Sequence, residues 1–352
     1  MNGSREHLEQ HLTDLRGLID ARESTLPDGQ RQIDVYNSSG LRFTILPDRG
    51  MDIWTAWYKE LPLTWVSAGA PHRADFGSPW LRQFNGGLLT TCGLQHAGPA
   101  ERDSVSGDVR DVHGNFTRLA ARDVAINKGW QADRYTLEIR GTLYESALFG
   151  AQWRLERRYQ VTLGEPAITL SDHVTNLATK PAPLMLLYHV NLGYPLIRAG
   201  SRLSVASEAV YPRDAAAEKG AATWEIYEAP SPHYAEQVFF HHVKTSETGW
   251  STVALTNDDF GLALSWDARS APYFTQWKNT HQGIYVCGIE PGNCLPEGQN
   301  AARAAGRLAW LAPGERQSFT CQISAFEEPT AVQHQIMGLT TANTWCKLED
   351  FG

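Results

Sequence analysis

Apolar and polar residues alternate with a period of two through most of this chain, the pattern of strands that bury one face. It is clearest in 135–140, 153–163 and 168–174, and shorter runs of the same kind lie at Arg31–Tyr36, Leu41–Leu46 and Met51–Tyr58. Further strands are expected at Val238–Val243, Ser251–Leu255, Gly261–Trp266, Tyr273–Trp277, Ile284–Ile289, Gly306–Trp310 and Ser318–Ile323. Leu8, Leu12, Leu15 and Ile19 fall at helical spacing, which predicts an amphipathic helix over residues 5–19 with His7 and His11 in solvent. Residues 67–118 are rich in Gly, Pro, Asp and His with little periodicity, a long loop of the kind that carries function. Many short strands without intervening helices predict an all-β protein, a large antiparallel β-sandwich with an N-terminal helix. The expected division is a helical extension over 1–26, the sandwich over 27–328 and a C-terminal tail over 329–352 packed on it.

Composition narrows the function classes. The chain has 352 residues, 42% hydrophobic and 20% charged, with a formal net charge of −8 and no basic run, which argues against nucleic acid and anionic membranes as partners. Twelve Trp and twelve Tyr are many; such rings pack cores and also stack on sugar C–H faces. Five cysteines without a CxxC pair suggest neither a zinc framework nor a disulfide scaffold. The charged N-terminal segment does not read as a secretion signal, so a cytoplasmic location is expected, and a homodimer is left open. No phosphate-cradling glycine loop occurs.

Four places put polar groups beside apolar strands. In Leu186–Pro195 an apolar run delivers His189, whose ordinary pKa lies near neutrality, to a turn through Asn, Gly and Pro. In Tyr285–Asn293 Glu290 leaves a buried strand in the same way, where desolvation raises a carboxyl toward a useful range. Arg49 sits in the turn of 47–52, either as a fork for a ligand or paired with Asp48 or Asp52. Gln95 and His96 follow the glycine-rich 86–93, and His113 stands on a turn with Gly114. With the aromatic Trp277 and Tyr188 nearby these read as a cleft holding one acid and one base, enough to move a proton between two oxygens. There is no Ser-His-Asp triad and no facing carboxylate pair.

Residues 172–177, a Pro-containing spacer and 187–195 together resemble the aldose 1-epimerase (galactose mutarotase-like) superfamily. His113-Gly114 is similar to its earlier His-Gly motif and Ile289-Glu290 to its late glutamate. Residues 47–53 and 86–98 resemble an uncharacterised branch, a domain of unknown function related to aldose epimerases, and the likeness covers roughly residues 30–325. The resemblance implies a β-supersandwich with a pyranose on its concave face and no metal or organic cofactor. Glu290 would take the proton of the anomeric hydroxyl and His189 would protonate the ring oxygen from the opposite side, with His113 and Arg49 holding other oxygens. The family's sugar-binding aspartate motif has no clear counterpart, Asp267 being a stand-in. Gln95, His96 and Lys278 leave room for an acidic, keto or sulfonated sugar. Three other readings stand: a lyase or carbon-centre epimerase on an oxidised sugar, a carbohydrate-binding protein without chemistry, and a metal site built from His96, His113 and His189.

Overall fold

Leu41–Leu46 forms a strand over the bounds its pattern predicts, paired with Arg31–Asn37 on one side and Asp52–Tyr58 on the other. Ile19–Thr25 and Leu61–Pro62 complete a five-stranded antiparallel sheet. In this computed structural model, residues 4–69, 73–327, Cys346 and Phe351 are described.

The long alternating runs make an eight-stranded sheet. Its sequence of neighbours is Arg202–Val205, Trp250–Thr256, Gly261–Asp267, Arg316–Phe326, Ala167–Asn176, Gln152–Thr162, Arg134–Ser146 and Arg122–Gln131. A third sheet runs through Ser207–Pro212, Gln237–Val243, Tyr273–Asn279, Val286–Gly292 and Ala182–Leu192. At its edge Ala309–Leu311 pairs with the start of Ala182–Leu192, and Thr90–Leu94 pairs with the rest. The antiparallel sandwich expected from the pattern is therefore the observed architecture.

Period two decides which side chains meet the core. In Ala182–Leu192 the even-numbered Leu184, Leu186, Tyr188, Val190 and Leu192 join the main core between the sheets. Met185 and Leu187 instead belong to a smaller cluster with Trp80, Cys92 and Cys294, and His189 shares their face. The central polar link is Arg157, fully buried on the eight-stranded sheet. It donates to Asp172 at 2.7 and 3.0 Å, to Asp52 of the five-stranded sheet at 2.8 Å, and to Thr91 at 2.9 Å. Tyr188 donates to the same Asp172 at 2.8 Å. One guanidinium thus ties all three sheets directly behind the strand that carries His189.

Some expectations change. The N-terminal helix covers only Arg5–His11, and Ile19 opens a strand pairing with Arg31–Asn37. Asp14 accepts from the backbone of Arg16 and starts a separate 3-10 turn, so the leucine spacing does not continue as one helix. Within 67–118 lie the helical turn Trp80–Gln83, the strand Thr90–Leu94 and the hairpin of Glu101–Arg102 with Val109–Arg110. Strands at Arg122–Gln131, Arg202–Val205 and Ser207–Pro212 are additional to those the alternation predicts. The expected tail 329–352 lies outside the described residues apart from Cys346 and Phe351, whose ring is buried against Tyr211 and His242.

Candidate active site

His189 and Glu290 come from neighbouring strands whose register pairs Val190 with Ile289 and Leu187 with Gly292, which sets His189 opposite Glu290. The row extends on both sides, Thr90 beside His189 and Thr275 beside Glu290. Both titratable groups lie within their strands, on the outward face of the sheet and two or three residues before the strand ends, which corrects the expected strand-end placement. The physical reason is that pairing with Val286–Gly292 carries the His189 strand on through Leu192 before the Gly-Tyr-Pro turn.

The two side chains touch. His189 Nε2 lies 3.2 Å from Glu290 Oε1, and the residues are 5% and 2% exposed. Burial pushes His189 down to about 4, opposed by a hydrogen bond with Asn191. Burial pushes Glu290 up to about 8, with the Arg213 charge lowering it and Glu236 raising it. Both shifts favour uncharged forms, so near neutrality the pair holds one proton, placed on the carboxyl.

Aromatic rings enclose the pair. Phe84 and Trp277 meet the His189 ring at centroid distances of 5.6 and 5.5 Å, and His113 meets it edge-on at 5.9 Å. Trp80 stacks on Phe84 and tilts against His113, while Trp65 contacts both Phe84 and Trp277. Burial pushes His113 down to about 3, with His189 and His96 adding to the effect, so it is a neutral ring at working pH. At the mouth, Trp277 Nε1 donates to Glu236 at 3.0 Å, and Arg213 is bonded to Glu236 and Asp214 at 3.2 and 2.8 Å.

Gly288 makes this closeness sterically feasible. A methyl group there would stand 2.6 Å from Glu290 Oε1, 2.9 Å from Trp277 Cβ and 3.3 Å from His189 Cε1. Gly288→Ala should therefore push the carboxyl off the imidazole and lower the kcat of any reaction that uses their proton at least about tenfold, because a misplaced proton donor loses its reach. Steady-state kinetics on a variant that keeps the wild-type circular dichroism spectrum checks this.

The other predicted residues divide. His113 and Trp277 join the pair. Lys278 does not: it follows Trp277 on the strand, so it faces the interior, where Nζ donates to the carbonyls of Thr223 and Ile226 and to Glu228. Arg49 is buried and donates to the carbonyls of Gln83 and Thr117, fixing the segments beside Phe84 and after His113. Gln95 and His96 lie apart from the pair. Gln95 donates to Glu145, and the His96 ring is bonded to the Pro99 carbonyl with Glu101 at 3.6 Å. The three histidines do not converge, and among the described residues no three His, Cys, Asp or Glu side chains are placed to share a metal ion. Tyr188 belongs to the Arg157 network, and Asp267 is paired with Arg269. Phe84, Trp80, Trp65, Thr275 and Arg213 join the site without being marked by the sequence motifs. Trp80 and Phe84 do carry a signal, two rings four residues apart in an otherwise polar loop.

The fold is shared with proteins named for sugar epimerisation. A Klebsiella pneumoniae protein provisionally named an aldose 1-epimerase superposes with a TM-score of 0.86 at 25% identity, over 94% of this chain and 89% of that one. A galactose mutarotase-like protein from Clostridium acetobutylicum gives 0.60 at 14% identity, over 89% and 100%. Galactose 1-epimerase from Lactobacillus acidophilus gives 0.56 at 12% identity, over 88% and 98%. No curated protein sequence matches the chain. No helix among the described residues is long and apolar enough to cross a membrane. Residues 27–325 match the family model described as Domain of unknown function (DUF4432), and the chain belongs to that family.

Proposed function

We propose that this protein interconverts the anomers of a neutral monosaccharide, with His189 and Glu290 acting as one proton-exchanging unit. The observation that carries this reading is their 3.2 Å approach inside an aromatic enclosure.

The pair is too close for a sugar ring to lie between its members, so the substrate presents its anomeric edge to both from one side. That edge suits the pair, because O1 and O5 share one carbon and can be reached together. Neutral His189 takes the O1 proton while protonated Glu290 gives its own to O5. The C1–O5 bond breaks as the C1–O1 double bond forms. After rotation about C1–C2, O5 attacks C1 and returns its proton to Glu290, and His189 returns the other to O1. The pair ends as it began, so the cycle draws no proton from solvent. These roles are the reverse of those the family resemblance implies for the resting state, and burial of both groups supports the reversal.

A neutral sugar is favoured by the charges at hand. Of the cations placed at or beside the pair, Lys278 is turned inward and the Arg213 guanidinium is already bonded to two carboxylates, which favours a neutral over an acidic or sulfonated sugar. Trp65, Phe84 and Trp277 offer ring faces for C–H surfaces, and the neutral His113 offers a hydrogen-bonding nitrogen.

The single-proton requirement fixes a pH profile. Below about 4 the pair is doubly protonated and above about 8 it holds no proton; these limits belong to the pair as a whole. kcat/KM measured by polarimetry on freshly dissolved sugars should be level between them and fall on both sides. A profile rising steadily through pH 9 overturns the one-proton pair.

A further inference from the structure

A second cavity lies behind the His113 turn. It encloses about 500 Å³ and is lined by residues of the 95–96 turn, the 108–115 segment and the 145–150 hairpin. Val112–Asn115 separates it from the catalytic cleft: His113 faces His189, whereas Gly114 and Asn115 line the second cavity. Nothing in the proposed reaction uses it.

Its walls have the makings of a binding site. Glu145 is 5% exposed, at the end of the strand Arg134–Ser146, and its carboxyl accepts from Leu94 N at 2.8 Å and from the Gln95 amide at 3.3 Å. Burial pushes this carboxyl up to about 7, so near neutrality it gains a proton to donate, while both of these partners are themselves donors. Asn115 adds an amide. Arg110 lines the wall but is bonded to Glu101 and Asp103, and Asp111 is itself paired with Arg118, which leaves Asp108 as the wall's carboxylate without a cation partner among the described residues. At the lip stand Leu148 and Phe149, 81% and 99% exposed. A fully exposed phenyl ring beside a buried carboxyl and two amides matches a ligand with an apolar face and a fringe of hydroxyls.

We propose that this cavity binds a second, neutral saccharide unit, its C–H face on Phe149 and its hydroxyls on Glu145, Gln95 and Asn115. The Asp108 carboxylate on the wall selects against an anionic sugar. The proposal does not rest on turnover at the His189–Glu290 pair.

Amide chemical shifts of the full chain, deuterated and ¹⁵N-labelled, should be followed during titration with D-glucose, D-galactose and D-xylose, with D-galacturonate as the anionic comparison. Amides of Gln95 and of Ala147–Gly150 should shift saturably with at least one neutral sugar and less with galacturonate. Phe149→Ala should weaken that response at least fivefold while leaving shifts near His189 and the catalytic rate within twofold of wild type. Glu145→Gln, which keeps size and donor capacity, should retain part of the binding. The proposal is overturned if residues 147–150 fail to respond to any neutral sugar, if Phe149→Ala leaves the response intact, or if galacturonate binds best. Loss of catalysis with this response intact would refute only the anomer-interconversion reading.

Discussion

Glu290→Gln should cut anomer interconversion by about a thousandfold and, at the same time, make the fold harder to unfold at neutral pH. The first effect is the loss of one member of an acid–base unit, a contribution of about 10²–10⁴ in rate. The second comes from burial. In the unfolded chain Glu290 ionises near its ordinary 4.5, and in the folded chain near 8. Between these values the unfolded state has released a proton that the folded state keeps, so Glu290's contribution to stability is fully present below 4.5 and is lost as pH rises through 8. Glutamine has no such slope. The variant should therefore gain on wild type between about pH 5 and 8, by about 2–4 kcal/mol at the upper end. Chemical denaturation at several pH values reads the gain, and a variant with no pH-dependent advantage contradicts the raised carboxyl. A site that costs stability to hold an acid in apolar surroundings is the expected signature of function rather than packing.

Arg157→Met should destabilise the protein by about 3–5 kcal/mol, because it leaves Asp52 and Asp172 buried without their cation. The loss concerns the site as well, since Asp172 also holds Tyr188, the neighbour of His189. Adding Asp52→Asn and Asp172→Asn to the Met variant should recover much of the stability. If the triple variant is no more stable than Arg157→Met, the loss comes from packing and the electrostatic account of this link is wrong. Urea unfolding of the three proteins decides.

Period two makes most strands legible in the amino-acid sequence alone, because each long strand buries one face against a sheet. The same rule separates Trp277 from Lys278: adjacent on one strand, they cannot both face the cleft, and the register beside Glu290 selects Trp277. Contact between His189 and Glu290 is not legible, since it depends on pairing between strands about a hundred residues apart. Trp80, Phe84 and Arg213 are brought to the cleft by loops and edge segments, which carry no period to read. Ile19 fits a helical spacing and a strand equally well, and pairing with Asn37 decides it. Arg49 stands out in its turn as a residue of consequence, yet its bonds to the carbonyls of Gln83 and Thr117, each in a short helical turn, are a choice that only tertiary structure makes.

A His189–Glu290 pair that opens and closes a sugar ring does so without touching its carbon-bound hydrogens. Exchange NMR in D₂O on neutral aldoses, with wild type and Glu290→Gln, reads both parts at once. Wild type should speed α–β exchange, the variant should stay near background, and every C–H signal should be retained. Deuterium entering at carbon, a new alkene signal, or no acceleration with any sugar would contradict this role for the pair.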